Sequence, residues 1–169
     1  LNDEEQLISN SQWPEYDESK ISLKENAGEE MVRVAMEGMR NVMKLAKIEK
    51  PTKFTLFISQ KWLYQLFTIL SNEIKVTRNV GEIMRKVLEE ESMKTKGKEV
   101  SKIVQSVLKD VSRLPSIVTL QEEELKVMQE AKDFLEKEFE CSVEVVLAED
   151  SEHEKSNSAI PGKVGIVVE

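Results

Sequence analysis

The chain has 169 residues, of which 40% are hydrophobic and 33% are charged, and its formal net charge at pH 7 is −8. This length fits one compact domain with an arm, and the apolar fraction can fill a core. No apolar run approaches the roughly 20 residues that a membrane-spanning helix needs, and we expect no signal peptide. The single cysteine, Cys141, excludes a disulfide framework and a cysteine-rich metal site, so we expect a cytoplasmic protein.

The first 22 residues are acidic and include the run Trp13-Pro14-Glu15-Tyr16-Asp17. Proline and the density of charge argue against a helix interior, so residues 1–22 are predicted to form an extended connector. Its two aromatic side chains would anchor the connector against whatever precedes or underlies it. Because the chain begins at Leu1 rather than at methionine, we expect it to be part of a longer protein.

The spacing of apolar residues and the turn signals predict the remaining elements. The first half of the chain is predicted to contain a helix over 23–48, a strand over 53–58, a helix through 62–70 and a helix over 79–91. A further helix follows Gly97 and runs to Leu114, and a β-like segment covers 116–119. The chain then continues with a helix over 120–139, a strand over 141–148 and a strand over 163–168. Ser59 and Thr119 are the predicted N-caps of two helices, and Glu122 completes a capping box with Thr119. Residues 149–158 form a polar loop that we expect to be mobile.

These elements predict an α+β fold with the character of an α/β sandwich. A small sheet of three to four strands would pack with about five helices, preceded by the acidic arm. The domain itself is predicted to span residues 23–169.

The charge of the chain is distributed unevenly. Residues 75–113 contain ten basic and six acidic residues, a net charge of +4, which leaves −12 for the rest. Lys94, Lys96, Lys98 and Lys102 crowd the start of a helix whose other face is apolar. Because the N-terminal end of a helix is positive, four lysines beside it favour an anion, and the phosphates of a nucleic acid are the first candidate. The alternative is a solvated helix start that only keeps the surface soluble.

Candidate catalytic groups are sparse. His153 lies between Glu152 and Glu154, but adjacent loop residues rarely converge on a metal without a preorganised shell, so a solvated loop is the preferred interpretation. Cys141 has no histidine nearby in sequence to act as a base. Glu122, Glu123 and Glu124 are simply explained as first-turn acids that favour the helix dipole. An independent enzyme is therefore the least supported function.

Three blocks of sequence resemble a known family. Lys96-Gly97-Lys98-Glu99-Val100-Ser101-Lys102-Ile103-Val104-Gln105 is similar to the His-Gly-Lys-Glu-Val/Ile-x-Lys-Leu-Val-Gln block of leucyl-tRNA synthetase of the archaeal and eukaryotic type. The helix ending at Phe139, the strand Val143-Glu144-Val145-Val146 and the closing run from Ala159 to Glu169 resemble the C-terminal end of that enzyme. The run from Trp13 to Glu18 resembles the segment that leaves its anticodon-binding helical bundle. The resemblance spans essentially the whole chain.

The resemblance implies a C-terminal, tRNA-binding fragment of this ligase, which attaches leucine to tRNA in an ATP-dependent step of protein biosynthesis. The class I signatures His-x-Gly-His and Lys-Met-Ser-Lys-Ser are absent from the sequence, so the fragment carries no catalytic residues and no cofactor, whereas the parent enzyme would use ATP and Mg. The implied partners are the long variable arm of leucine tRNA and the catalytic and helical domains of the parent synthetase, with no membrane and no DNA. The implied tRNA contacts are Lys94, Lys96, Lys98 and Lys102 in the helix block, and Lys163, Ile166, Val168 and Glu169 in the closing strand and tail.

Two departures from the family pattern reduce the implied contacts. Val164 stands where the family usually has proline after the Gly-Lys pair, and Lys155 is followed by Ser156, Asn157 and Ser158 instead of completing a Lys-x-Arg pair. Fewer charges mean fewer phosphate contacts and a flatter salt dependence. The rival function is a protein–protein docking module, in which the acidic arm serves a partner or the synthetase's own body.

Overall fold

The computed structural model describes residues 18–169, and the side chains from residue 23 onward. Its helices are α1 (Glu18–Ala46), α2 (Lys61–Glu73), α3 (Val80–Glu89), α4 (Glu91–Lys94), α5 (Gly97–Lys109) and α6 (Gln121–Phe139). Its strands are β1 (Lys53–Ile58), β2 (Ser142–Leu147) and β3 (Gly165–Val168). The predicted α+β class is confirmed, with three strands in the part of the chain described.

The three strands form one mixed sheet in the order β2-β1-β3. In the centre, β1 runs parallel to β2 and antiparallel to β3, and Phe54 lies opposite Val143 on one side and Val168 on the other. The parallel pair requires a long connection from β1 to β2, and helices α2 to α6 lie within it. The sheet therefore joins segments that are distant in sequence.

The main core lies between the sheet and two long helices. Its buried residues come from α1, the sheet, α6 and the segment before β3: Met31, Ala35, Met39, Phe54, Leu56, Ile58, Met128, Leu135, Val143 and Val164. In α1, Met31, Ala35 and Met39 recur every four residues, which places them on one helix face. The long apolar periodicity of this helix is thus explained by burial against the sheet.

A second core lies among helices α2 to α5. Its buried residues are Leu63, Leu66, Phe67, Leu70, Ile83, Val87, Met93, Val100, Val104 and Val107. We call residues 61–113 the helical unit, because these helices pack mainly on one another. Asn79 caps α3, since its side chain accepts hydrogen bonds from the amides of Gly81 and Glu82.

Several predicted boundaries are corrected by the structure. The predicted connector 1–22 overlaps α1, so its last five residues are helical, while residues 1–17 lie outside the described part of the chain. The predicted β-like segment 116–119 is irregular. The N-caps of α2 and α6 are Gln60 and Leu120 rather than Ser59 and Thr119, and the Glu123 carboxylate accepts from the Leu120 amide at 3.1 Å.

The loop predicted over 149–158 contains two short 3-10 turns packed on the second face of the sheet, with Ser156 buried. Here Phe57 packs with Ala148 and Ala159 in a small third cluster. The strand predicted over 163–168 begins only at Gly165, because Lys163 pairs instead with Ile160 across a Pro-Gly turn.

Met39→Ala is expected to lower the free energy of unfolding by about 2–5 kcal/mol, since it leaves a cavity between α1 and the sheet. Met39 is fully buried, at 0% exposed. Leu45, on the same helix, is 84% exposed, so Leu45→Ala should change stability by no more than about 0.5 kcal/mol. Urea unfolding followed by circular dichroism measures both variants, and equal losses would contradict the assigned buried face of α1.

Candidate RNA-binding surface

The outer face of α5 carries three lysines in a row. Lys98, Lys102 and Lys109 are spaced by four and seven residues, so they lie along one line of the helix, and all three are exposed. We call these three residues the basic stripe, which is about 16 Å long at a rise of 1.5 Å per residue. Among residues 23–169, whose side chains the structure describes, none of them forms an ion pair. The sequence-based site omits Lys109, whose seven-residue spacing from Lys102 is the signal that identifies it.

The N-terminal end of α5 is open to a ligand. In the described part of the chain, no group accepts from the amides of Gly97, Lys98 or Glu99, and a Cβ atom at Gly97 would meet nothing within 4 Å. Lys94 is exposed at the end of α4. Lys96 differs from the other lysines, since its Nζ atom lies 5.1 Å from the centroid of the Trp62 ring in a cation–π contact.

The other end of α5 is where the structure places Lys163. The pKa of Asp110, the C-cap residue of α5, is lowered mainly by the hydrogen bond from the Ser112 hydroxyl, and also by the charges of Arg113 and Lys163. Arg113 donates a hydrogen bond of 2.6 Å to Ser106 Oγ. Its Nε atom also lies 3.8 Å from Asp110 Oδ2 in an ion pair. Lys163 and Arg113 therefore extend the basic surface around the Asp110 carboxylate, beyond the C-terminal end of the basic stripe and opposite to Lys94.

The tail residues take structural positions in β3. Ile166 and Val168 are half-buried and pack against the main core, where Ile166 meets α1 at Gly38. The Glu169 carbonyl accepts from the Thr52 and Lys53 amides at 2.7 and 3.2 Å, which holds the tail at the beginning of β1. Since α2 leaves from the other end of β1, the tail and the basic stripe are not brought together. RNA contacts by Ile166, Val168 and Glu169 stay a prediction. The register of β3 places Val167 on the face of the sheet that is turned away from the main core.

A buried carboxylate joins the helical unit to the sheet. Glu124 of α6 is 4% exposed, and its Oε2 accepts 2.6 Å from the Tyr64 hydroxyl of α2. Its Oε1 accepts from Thr119 Oγ1 at 3.0 Å and from the Gly162 amide at 2.8 Å. Burial raises the pKa of Glu124 against the opposing effect of these hydrogen bonds, and burial also raises the pKa of Tyr64. We call Glu124 and these three partners the Glu124 junction.

Sequence reasoning treats Glu124 only as a first-turn acid and misses its role. The signal that identifies this role is helical spacing: Glu124, Met128 and Leu135 are four and seven residues apart, so they lie on one buried face of α6. A carboxylate on the apolar face of a helix needs donors, and here three are supplied by other segments.

The other candidate groups do not form a catalytic arrangement. His153 accepts from the Lys155 amide through Nδ1 at 3.1 Å, and its ring stacks on Phe57 with centroids 5.9 Å apart. Burial and then the charge of Glu136 raise the pKa of Cys141, which keeps the thiol protonated. Among the described residues, no helix is long and apolar enough to cross a membrane, and no group of three or more His, Cys, Asp or Glu could hold a metal.

Comparison with known proteins identifies relatives of the chain. No family model matches it. Over 163 residues it is 33% identical to the leucine–tRNA ligase of Methanococcus vannielii, a match that covers 96% of this chain and 16% of that protein. Over 165 residues it is 27% identical to the leucine–tRNA ligase of Pyrococcus abyssi, covering 98% of this chain and 16% of the relative. The chain is a homologue of the C-terminal part of archaeal leucine–tRNA ligases.

The similarity to leucine–tRNA ligases (leucyl-tRNA synthetases) confirms the resemblance drawn from the three sequence blocks. The relatives are enzymes, and this chain spans only 16% of their length. Because the match extends over nearly the whole chain, both cores, the basic stripe and the Glu124 junction belong to the segment shared with these ligases.

The Glu124 junction predicts a distinctive pH dependence of stability. The folded-state pKa of Glu124 is raised above its ordinary value of 4.5, so its contribution to stability is full below that value and is lost as pH rises through the raised pKa. The free-energy difference between the native chain and Glu124→Gln should therefore fall as the pH is raised above 4.5. Urea unfolding at each pH measures this difference.

The adjacent Glu123 is the matched control, because the hydrogen bond from Lys24 lowers its pKa. Its contribution is fully present above the ordinary value of 4.5 and is lost as pH falls through the lowered pKa, so the difference from Glu123→Gln should stay level above pH 4.5 and fall as the pH is lowered below it. Parallel pH profiles for the two variants would contradict the buried position of Glu124.

Proposed function

We propose that this chain is the tRNA-recognition region of a leucine–tRNA ligase, and that it binds leucine tRNA while the parent enzyme attaches leucine in an ATP-dependent reaction. The observation that carries the proposal is the basic stripe, a line of exposed lysines without carboxylate partners among the described residues, on a chain of net charge −8. Homology to leucine–tRNA ligases makes a tRNA the natural anion for this surface.

The basic stripe acts through phosphates. Each phosphate that a lysine neutralises releases condensed counterions, which gives affinity that depends strongly on salt and not on sequence. The acidic remainder of the chain repels RNA elsewhere, so only a local surface contributes. Binding by the chain alone is therefore expected to be modest, and contacts from a larger protein would add to it.

Recognition of the long variable arm is the finer part of the proposal. Proteins read unpaired, unstacked bases in RNA, because side chains cannot enter the narrow major groove of an A-form helix. As an edge strand of the sheet, β3 has backbone amides and carbonyls on one side that β1 does not use. We propose that these backbone groups meet the bases at the tip of the arm, together with the exposed side chain of Glu169.

A fluorescence-anisotropy titration with leucine tRNA tests the proposal, with an isoleucine tRNA of short variable arm run beside it. Lys102→Glu should weaken binding to leucine tRNA and lower the slope of log affinity against log salt by about one unit. Lys137→Glu is the matched control, since it makes the same charge change on an exposed residue in the last turn of α6. It should leave the salt slope unchanged.

The outcomes separate the possible functions. Preference for leucine tRNA supports recognition of the variable arm, whereas equal binding to both tRNAs leaves only a phosphate-binding surface. Absence of binding even at low salt would reject RNA recognition by this chain and favour the docking function. Deleting residues 167–169 is unsuitable as a test, because Val168 pairs with Phe54 in the sheet. Glu169→Ala changes the exposed side chain of the tail without removing that pair.

A further inference from the structure

The basic surface continues across the boundary between the helical unit and the sheet. The basic stripe and Arg113 belong to the helical unit, whereas Lys163 belongs to the segment that leads into β3. The two parts nevertheless lie side by side, because Ile160 of the Lys163 turn packs against the second core, and Lys163 lines the same cleft as Asp110 and Arg113. A continuous line of positive charge thus requires the two parts to keep a fixed relation.

The turn that carries Lys163 is tightly built. Pro161 and Gly162 occupy its centre, and the Lys163 amide donates to the Ile160 carbonyl at 2.8 Å. Gly162 has φ of 80°, as position i+2 of a type II turn requires, and a Cβ atom there would lie 2.9 Å from Pro115 Cβ. The turn itself is therefore rigid, and its placement depends on what holds Gly162.

Glu124 is the group that holds this turn against the helical unit. One carboxylate oxygen accepts from the Gly162 amide, and the other accepts from the Tyr64 hydroxyl. Tyr64 lies on α2, whose buried face packs with α3 to α5 in the second core. The Glu124 carboxylate therefore hydrogen-bonds the Lys163 turn to the helices that carry the basic stripe, where Ile160 also packs against the second core.

We propose that Glu124 is a positioning residue for RNA binding, which aligns Lys163 with Arg113 and the basic stripe so that all five cations form one phosphate-binding track. The proposal rests on the proposed function, because it assumes that the basic stripe binds RNA. Glu124 itself touches no RNA, since it is buried. Its effect passes through the position of the Pro161-Gly162 turn.

A double-mutant experiment on the full chain with a leucine tRNA transcript tests this role. Lys163→Ala should lower the salt slope by about one unit, and Glu124→Ala should produce the same loss by displacing the turn. Combining the two should add little to either alone. Lys102→Ala should add its own loss of about one unit to Glu124→Ala, because the basic stripe is held by the second core.

The conservative variant separates positioning from general destabilisation. Glu124→Gln keeps an oxygen that can accept from the Gly162 amide, so it should retain the native salt slope. Hydrogen exchange of the Gly162 amide gives a readout without RNA, and its protection should fall in Glu124→Ala but persist in Glu124→Gln. If Glu124→Ala does not fold, Gly162→Ala displaces the same turn through its positive φ and Pro115, and should be equally non-additive with Lys163→Ala.

The positioning role would be overturned if the loss of salt slope in Glu124→Ala, or in Gly162→Ala where that variant replaces it, added fully to the loss in Lys163→Ala. A native salt slope in Glu124→Ala would also overturn it. Those results leave the proposed function intact if Lys102→Glu still weakens binding. If the native chain does not bind tRNA at any salt concentration, the proposed function and the positioning role are rejected together.

Discussion

One buried carboxylate joins the two halves of this structure, beside the packing of Ile160 on the second core. Glu124 lies on the apolar face of α6, where an unpaired carboxylate would cost several kcal/mol. Donors from α2, the segment before α6 and the Pro-Gly turn satisfy it together. Gln121, one turn earlier, adds a bond of 2.8 Å to the Ser59 carbonyl. Because each donor comes from a different segment, removing the carboxylate would release all three.

The helix α5 combines structural and functional demands in one amphipathic pattern. Its valines at positions 100, 104 and 107 are buried in the second core, which fixes the helix rigidly. The same period places Lys98, Lys102 and Lys109 together on the solvent side. Burial of the valine face thus fixes the positions from which the lysines extend. Cations on a rigid helix lose less conformational freedom on binding than cations on a mobile loop.

The sheet decides what the closing segment can offer to a ligand. Pairing of Phe54 with Val168 sets the register of β3, and alternation then directs Ile166 and Val168 to the main core and Val167 away from it. A shift of one residue would reverse these roles. Glu169 is bound at the beginning of β1, whereas α2 starts beyond the other end of β1, so the length of β1 separates the end of the tail from the start of the helical unit. Any RNA that contacts both must span the length of the sheet.

The sequence by itself determined helices α1, α2, α3, α5 and α6, the strands β1 and β2, and the side of α5 that faces solvent, since each follows from local periodicity, but it did not predict the short helix α4. It also supported the family resemblance through blocks of adjacent residues. It did not locate the caps of α2 and α6, because the hydroxyls of Ser59 and Thr119 donate to the Ala159 carbonyl and to Glu124 rather than capping a helix. It also did not locate the beginning of β3, which depends on pairing with the distant strand β1. Only the tertiary structure decided that Glu124 is a junction, that Lys96 lies against Trp62 and that Lys163 extends the line of α5. These contacts join residues 34 to 60 positions apart, and no local pattern records where such distant segments meet.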